Sequence, residues 1–133
     1  MTVSLMIPYP SEKKAKSAFC KEYGLNSIYA GKHWTKRKAD KEYWHYLVLS
    51  ELNKQRISRK YIDYPVEILF YWSDRLDCSN HAYMAKMIED SLVGYILHDD
   101  SRQYVKRITH EFHDENYIKV EVRRYEPGLK ISV

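Results

Sequence analysis

The segment at residues 65–72 (PVEILFYW) constrains the fold of this chain more than any other. Every second residue in it is large and apolar: Val66, Ile68, Phe70 and Trp72. Because side chains of a strand point alternately to its two faces, these four share one face. A strand with such a face has to bury it against another layer. The sequence therefore predicts a sheet with helices packed on it.

The pattern on both sides of this strand predicts the other elements. We expect strands over residues 2–7, 103–112 and 117–125, and helices over residues 12–22, 36–54 and 80–93. The predicted helix caps are Ser11, Thr35 and Ser79, and residues 25–34 are predicted to form a loop. The polar turn at residues 113–116 (HDEN) is expected to join the last two strands into an antiparallel hairpin.

Domain organisation follows from what the chain does not contain. It has no internal repeat, no low-complexity segment and no linker rich in Gly, Pro or Ser. We therefore predict one α+β domain over residues 1–133, a mixed sheet of about four strands packed with two or three helices.

Composition excludes several classes of protein. With 44% hydrophobic and 30% charged residues, the chain is globular rather than disordered. No uncharged apolar run approaches the roughly 20 residues that cross a bilayer, so no membrane association is expected. The N-terminus lacks a secretion signal, and the two cysteines suggest neither a disulfide framework nor a metal site. We expect a cytoplasmic protein.

Charge is distributed unevenly along the chain. Residues 11–60 hold 13 Lys and Arg against 5 Asp and Glu, whereas residues 61–133 hold 9 against 13. A basic half joined to an acidic half suggests one surface for a polyanion and another where carboxylates gather, although solvated lysine-rich helices give the same pattern. The candidates for contacts with a DNA backbone are Lys36, Arg37, Lys38, Arg56 and Arg59.

Four acidic residues flank the predicted helix at 80–93. Asp74 and Asp77 precede it, and Asp99 and Asp100 follow it. Such a helix is about 21 Å long, so the two pairs can meet only if residues 94–98 fold back along it. Converging carboxylates would suit Mg²⁺ or Mn²⁺. Spacing alone favours the alternative, in which these residues form turns and helix ends.

Other candidate residues carry weaker signals. Lys86 lies four residues before Asp90, a spacing that most often marks a surface ion pair on a helix. His110 and His113 are predicted to point to opposite faces at a strand end, which is poor geometry for one zinc ion. The chain has no phosphate-binding glycine loop, so no small-molecule organic cofactor is expected.

The order of these pieces resembles the RusA family of phage and prophage Holliday-junction endonucleases. The family's main stretch has a strand, an Asp-rich turn with Asn, a helix with Lys and Asp-x-Leu, and a closing Asp-Asp. Here that stretch reads Asp77-Cys-Ser79-Asn80, Lys86, Asp90-Ser-Leu92, Gly94 and Asp99-Asp100. Upstream, Pro10-Ser11, Leu25-Asn26 and the basic GKHWTKRK at residues 31–38 are similar to the family's N-terminal segment.

The resemblance implies a role for each matching residue. Asp77 and Asp100 would be metal-binding carboxylates, with Asp99, the neighbour of Asp100, as a possible substitute metal ligand. Lys86 would be the catalytic lysine. Asn80 and Asp90 would organise the helix and its start. The implied activity is Mg²⁺-dependent cleavage of branched DNA, with Mn²⁺ as a possible substitute, by a homodimer whose paired sites cut both strands.

Three departures from the family pattern bear on activity. Ser79 stands where the family usually has a second Asp, the spacing from Asn80 to Lys86 is three residues longer, and the loop from Asp90 to Asp99 is one residue shorter. Asp74 could replace the missing carboxylate, or Ser79 could act through its hydroxyl or a bound water. The alternatives are a DNA-binding module of the same fold that has lost catalysis, and an interaction protein with no nucleic-acid role.

Overall fold

The computed structural model describes residues 2–127 and shows the predicted α+β class. A single four-stranded mixed sheet carries helices, as expected. The strands are β1 (Thr2–Pro8), β2 (Val66–Trp72), β3 (Val105–Phe112) and β4 (Tyr117–Arg124). The helices are α1 (Lys13–Tyr23), α2 (Leu25–Tyr29), α3 (Trp34–Lys54) and α4 (Ala82–Leu92), with a 3₁₀ helix at Cys78–His81 directly before α4.

The strands lie in the order β1-β4-β2-β3, so β2 is an inner strand with a partner on each side. β2 pairs in parallel with β3 and antiparallel with β4. The predicted hairpin between β3 and β4 is therefore wrong, because β2 lies between them. The turn that follows β3 crosses the end of β2, where the His113 N–H donates to the Trp72 carbonyl. The most apolar strand takes the inner position because that is where both of its faces are covered best.

One face of the sheet packs against the helices. Val66, Ile68, Phe70 and Trp72, the face predicted to be buried, are all at most 1% exposed. Trp44 and Val48 of α3 and Ile88 of α4 belong to the same core and are fully buried. Within residues 2–127, no helix is both long enough and apolar enough to cross a membrane.

The opposite face of β2 carries a buried charge that sequence periodicity does not reveal. The Glu67 carboxylate is 3% exposed and lies between Arg107 of β3 and Arg123 of β4, at 3.2 and 3.5 Å. Burial raises the pKa of Glu67, but the two guanidinium groups outweigh this effect and hold the pKa below its usual value. This cross-strand charge network joins the three strands on the face away from the helices.

The helix ends differ from those predicted. Residues 25–29, predicted as loop, form the short helix α2. Glu12 rather than Ser11 is the cap residue of α1. His33 caps α3, and its ring accepts the backbone N–H of Thr35, the residue predicted to be the cap. Ser79 lies inside the 3₁₀ helix, so α4 begins at Ala82. The starts of α1, α3 and α4 thus differ from the predicted starts by one or two residues.

The C-terminus of α3 closes in a left-handed turn at a residue that is not glycine. The Ile57 N–H bonds to the Leu52 carbonyl and the Arg56 N–H to the Asn53 carbonyl, the two bonds of a Schellman motif. Arg56 has a φ of 58°, which costs a side-chain-bearing residue about 1 kcal/mol.

The strain at this turn leads to a first prediction. We expect Arg56→Gly to raise the free energy of unfolding by about 1 kcal/mol, because glycine adopts a positive φ without a steric cost. Lys54→Gly, inside the last turn of α3, is the matched control and should lower it by about 0.7 kcal/mol. Chemical denaturation measures both, and a loss of stability in Arg56→Gly would contradict the prediction.

Candidate functional site

The segment after α4 folds back along the helix, as the sequence analysis required for the acidic residues to converge. Gly94 has a φ of 85°, and its N–H donates to the Leu97 carbonyl to close a tight turn. The Ile62 N–H donates to the Ile96 carbonyl and ties the turn to the chain before β2. The fold-back brings Asp100 from beyond the helix end to the exposed side chain of Lys86.

Four residues form what we call the Lys86 cluster: Lys86, Glu89, Asp90 and Asp100. The Lys86 Nζ lies 2.5 Å from an oxygen of Asp100, 3.2 Å from Asp90 and 3.6 Å from Glu89. Asp99 is exposed beside the cluster, and its carboxylate accepts the backbone N–H of Asp100. Lys86, Asp90 and Asp100, which the resemblance singles out, are thus brought together by the tertiary structure.

The charges of the cluster shift one another's pKa values. The hydrogen bond from Lys86 lowers the pKa of Asp100, and the same bond raises the pKa of Lys86. Glu89 behaves differently, because its burial, with Asp100 and Asp90 nearby, raises its pKa despite the contact with Lys86. Sequence reasoning missed Glu89, although a glutamate on the buried stripe of α4, four residues after Ala85, is a detectable signal.

The raised pKa of Glu89 leads to a second prediction. A carboxyl group whose pKa is higher in the folded than in the unfolded protein makes stability fall as the pH rises above about 4. We expect Glu89→Gln to be more stable than the wild type at pH 7, with the difference vanishing below pH 4. Glu115→Gln, at an exposed turn, should show neither effect. Thermal unfolding from pH 3 to 8 measures this, and a less stable Glu89→Gln at pH 7 would contradict it.

The loop with Asp77, Ser79 and Asn80 lies at the other end of β2 from Asp100. It follows the end of β2 at Trp72, whereas Asp100 precedes β3, whose first residue pairs with Val66 at the start of β2. Asp77 is exposed and makes no capping hydrogen bond to the 3₁₀ helix. Ser79 is also exposed. The Asn80 side chain accepts the backbone N–H of Asn26 at 3.0 Å, which joins this loop to α2.

The carboxylates implied as metal ligands do not form one ligand set in this arrangement. Within residues 2–127, no group of three or more His, Cys, Asp or Glu side chains has the geometry to hold a metal ion. The Lys86 cluster has the hard oxygen donors that Mg²⁺ prefers, but the Lys86 ammonium already occupies the space between them. Asp77, the other expected ligand, is not part of the cluster.

Asp74, proposed as a replacement ligand, is fully engaged in the protein interior. Its side chain is 1% exposed, and it accepts hydrogen bonds from the Tyr9 hydroxyl, the His81 ring and the Leu76 N–H. Burial raises its pKa, but the bonds from His81 and Tyr9 outweigh burial and lower it. The His81 ring is itself fully buried and stacks on Trp72. Asp74 therefore joins the ends of β1 and β2 to the start of α4.

This buried pair leads to a third prediction. We expect Asp74→Asn to lower the free energy of unfolding by about 2 kcal/mol at neutral pH, with or without metal ions, because it weakens charge-assisted hydrogen bonds in the interior. A carboxyl group whose pKa is lowered by folding stabilises the protein above about pH 4, and this stabilisation is lost as the pH falls below that value. The difference in stability between the wild type and Asp74→Asn should therefore become smaller in acid. The exposed Asp63→Asn is the control, and equal stability of both variants would contradict a structural role.

The predicted DNA-contacting cations are divided between the two ends of α3. Lys36, Arg37 and Lys38 lie in its first two turns, and Arg56 and Arg59 follow its last turn. All five are exposed. A helix of 21 residues is about 30 Å long, so the two groups are separated by that distance.

A third basic surface lies between the α1–α2 segment and the loop after β2, and we call it the basic groove. It has a volume of about 1390 Å³. The cations that line it are Lys13, Lys16, Lys21, Lys32, Lys36 and Arg75, and its other lining residues include Asn80 and Phe112. Only Lys36 was identified from the sequence, although Lys13 and Lys16 have the i,i+3 spacing of one helix face.

Comparison of the sequence with protein-family models and with curated proteins found no match. The resemblance to the RusA family therefore depends on the motif residues of the sequence alone.

Proposed function

We propose that this protein binds branched DNA and, as a RusA-like Mg²⁺-dependent endodeoxyribonuclease, cleaves it. The supporting observation is the fold-back after α4, which brings Asp100 into contact with Lys86, the partner of Asp90. These residues are up to 14 positions apart in the chain. The alternative interpretation, a surface ion pair between Lys86 and Asp90 on one helix, would not require the chain to fold back and bring Asp100 to them. The substrate class, recombination intermediates such as Holliday junctions, comes from the resemblance.

The chemical role proposed for Lys86 follows from its environment. Its carboxylate partners hold its pKa above the ordinary value, so it stays protonated over the whole physiological range. Its side chain is 56% exposed, so a phosphate at the cluster can reach it. An ammonium at that position would stabilise the negative charge that develops on a phosphoryl oxygen during cleavage.

The metal requirement and the assembly are parts of this proposal that come from the resemblance. The observed arrangement does not itself provide a set of Mg²⁺ or Mn²⁺ ligands, so we derive no step through a metal ion. Symmetric cutting of a four-way junction requires paired sites, for which a homodimer with two-fold symmetry is the simplest assembly. We place the activity in the cytoplasm, where the DNA substrate is found.

A DNA-binding module without catalysis is the second candidate. Three observations favour it: Ser79 replaces an acidic residue, Asp77 lies apart from the Lys86 cluster, and Asp74 is held in the interior by His81 and Tyr9. Such a module would bind junction DNA through the exposed cations but would leave its strands intact.

One assay separates the two candidates. The purified protein is incubated with a labelled four-way junction and with a linear duplex, in Mg²⁺, in Mn²⁺ and in EDTA. Paired nicks in the junction that need a divalent ion would support the nuclease. Junction binding without cutting in either metal would support the module, and no binding of any DNA at low salt would remove both.

Site variants give a fourth prediction. We expect Asp100→Asn, Asp77→Asn and Lys86→Met each to lower junction cleavage at least a hundredfold while junction binding in EDTA stays within about threefold. Asp114→Asn, in the exposed turn after β3, is the control and should retain full activity. Full cleavage by both Asp100→Asn and Asp77→Asn would disprove the site assignment.

A further inference from the structure

The basic groove has the properties of a binding site for a polymer rather than for a small molecule. Its volume of about 1390 Å³ exceeds the range of roughly 300–1000 Å³ that is typical of small-molecule pockets. Six cationic residues line it, against two acidic ones, Glu22 and Asp74. The Asp74 side chain is turned into the interior, where His81 and Tyr9 bind it.

The cations of the groove divide into two groups. Three of them have partners within the protein: Lys16 bonds across the groove to the Ser73 carbonyl and to Asn116, Lys32 bonds to Glu22 and Asp40, and Lys36 pairs with Glu22. The other three are exposed and form no ion pair with another residue of the range 2–127: Lys13 and Lys21 on α1, and Arg75 on the loop opposite. Exposed cations therefore face the groove from both of its walls, which is the arrangement that retains a chain of phosphates.

An aromatic side chain lies in the same groove. Phe112, the last residue of β3, lines it and is 51% exposed, although the hydrophobic residues of the core are at most 9% exposed. An exposed ring beside a row of cations is the combination that binds single strands, since a base stacks on the ring while its phosphates contact the cations. A base inside a duplex is already stacked on its neighbours and cannot do so.

We propose that the basic groove binds an unpaired DNA strand, with its phosphates on Lys13, Lys21 and Arg75 and one base stacked on Phe112. The loop that carries Asp77 forms one wall, between the lining residues Leu76 and Asn80, so a strand in the groove passes next to Asp77. The choice of DNA over RNA rests on the proposed function. The inference narrows that function to branched substrates that contain an unpaired strand.

Binding of a labelled oligothymidylate of about 12 nucleotides, followed by fluorescence anisotropy in EDTA, tests the groove without cleavage. We expect the triple variant Lys13→Gln, Lys21→Gln, Arg75→Gln to reduce the slope of log affinity against log salt concentration by about 2, because each lost phosphate contact contributes about 0.7. The control, Lys60→Gln, Arg102→Gln, Lys106→Gln, removes three exposed cations outside the groove and should leave the slope unchanged. An equal effect of both triples, or no binding by the wild type, would overturn the proposal.

The aromatic contact has its own matched pair of variants. Phe112→Ala should weaken oligothymidylate binding about tenfold, whereas Ile108→Ala, exposed on the same face of β3, should change it less than twofold. A duplex of the same length should bind more weakly than the single strand and respond equally to both variants. Tighter binding of the duplex, or a Phe112→Ala affinity equal to that of the wild type, would overturn the assignment of an unpaired strand.

The proposal for the groove and the proposal of a nuclease can be contradicted independently of each other. Oligothymidylate binding that depends on the groove residues, together with no cleavage of any branched substrate in Mg²⁺ or Mn²⁺, would contradict the nuclease and support the groove. Cleavage of branched DNA that the groove triple does not alter would support the nuclease and overturn the groove as the path of the substrate.

Discussion

The parallel pairing of β2 with β3 is the constraint on which the rest of this structure depends. Parallel neighbours cannot be joined by a tight turn, so the chain has to travel from the end of β2 back to its beginning. The crossover connection consists of the 3₁₀ helix, α4 and the turn at Gly94. Because the return segment runs beside α4, it brings Asp100 to Lys86. The same pairing leaves Asp77 at the end of β2 and away from Asp100.

Two polar clusters at this crossover differ in their exposure to solvent. Asp74 and His81 are buried, hydrogen-bonded on several sides and stacked against Trp72, so they hold the loop after β2 in one conformation. The side chains of Lys86 and Asp100 are 56% and 31% exposed, so solvent reaches both charges. Burial thus distinguishes Asp74, whose oxygens are all directed at groups of the protein interior, from Asp100, whose carboxylate solvent can reach.

The basic groove adds a surface that connects these elements. Its walls are joined by Lys16 and by the bond between Asn80 and Asn26, so α1, α2 and the loop after β2 form one continuous surface. Three exposed cations on it, Lys13, Lys21 and Arg75, form no ion pair within residues 2–127, and the loop that carries Asp77 is part of its wall. The groove includes Lys36 at the start of α3, whereas Arg56 and Arg59 follow the other end of this helix, about 30 Å away.

The sequence alone determined the fold class, the buried face of β2 and the extents of the long elements to within a few residues. These depend on periodicity, which is a local property of the chain. It also predicted Lys86, Asp90 and Asp100 as candidate site residues, through the resemblance of the motif. It could not decide whether β3 pairs with β4 or with β2, because two strands of similar pattern are compatible with either partner.

Only the tertiary structure decided which charged residues meet. The distance between Lys86 and Asp100 depends on the direction that the chain takes after Gly94, and the burial of Asp74 depends on Tyr9, 65 residues earlier. The basic groove is likewise formed by α1, α2 and a loop some 50 residues further along. Contacts between distant segments arise from the packing of whole elements, and no local pattern of residues encodes them.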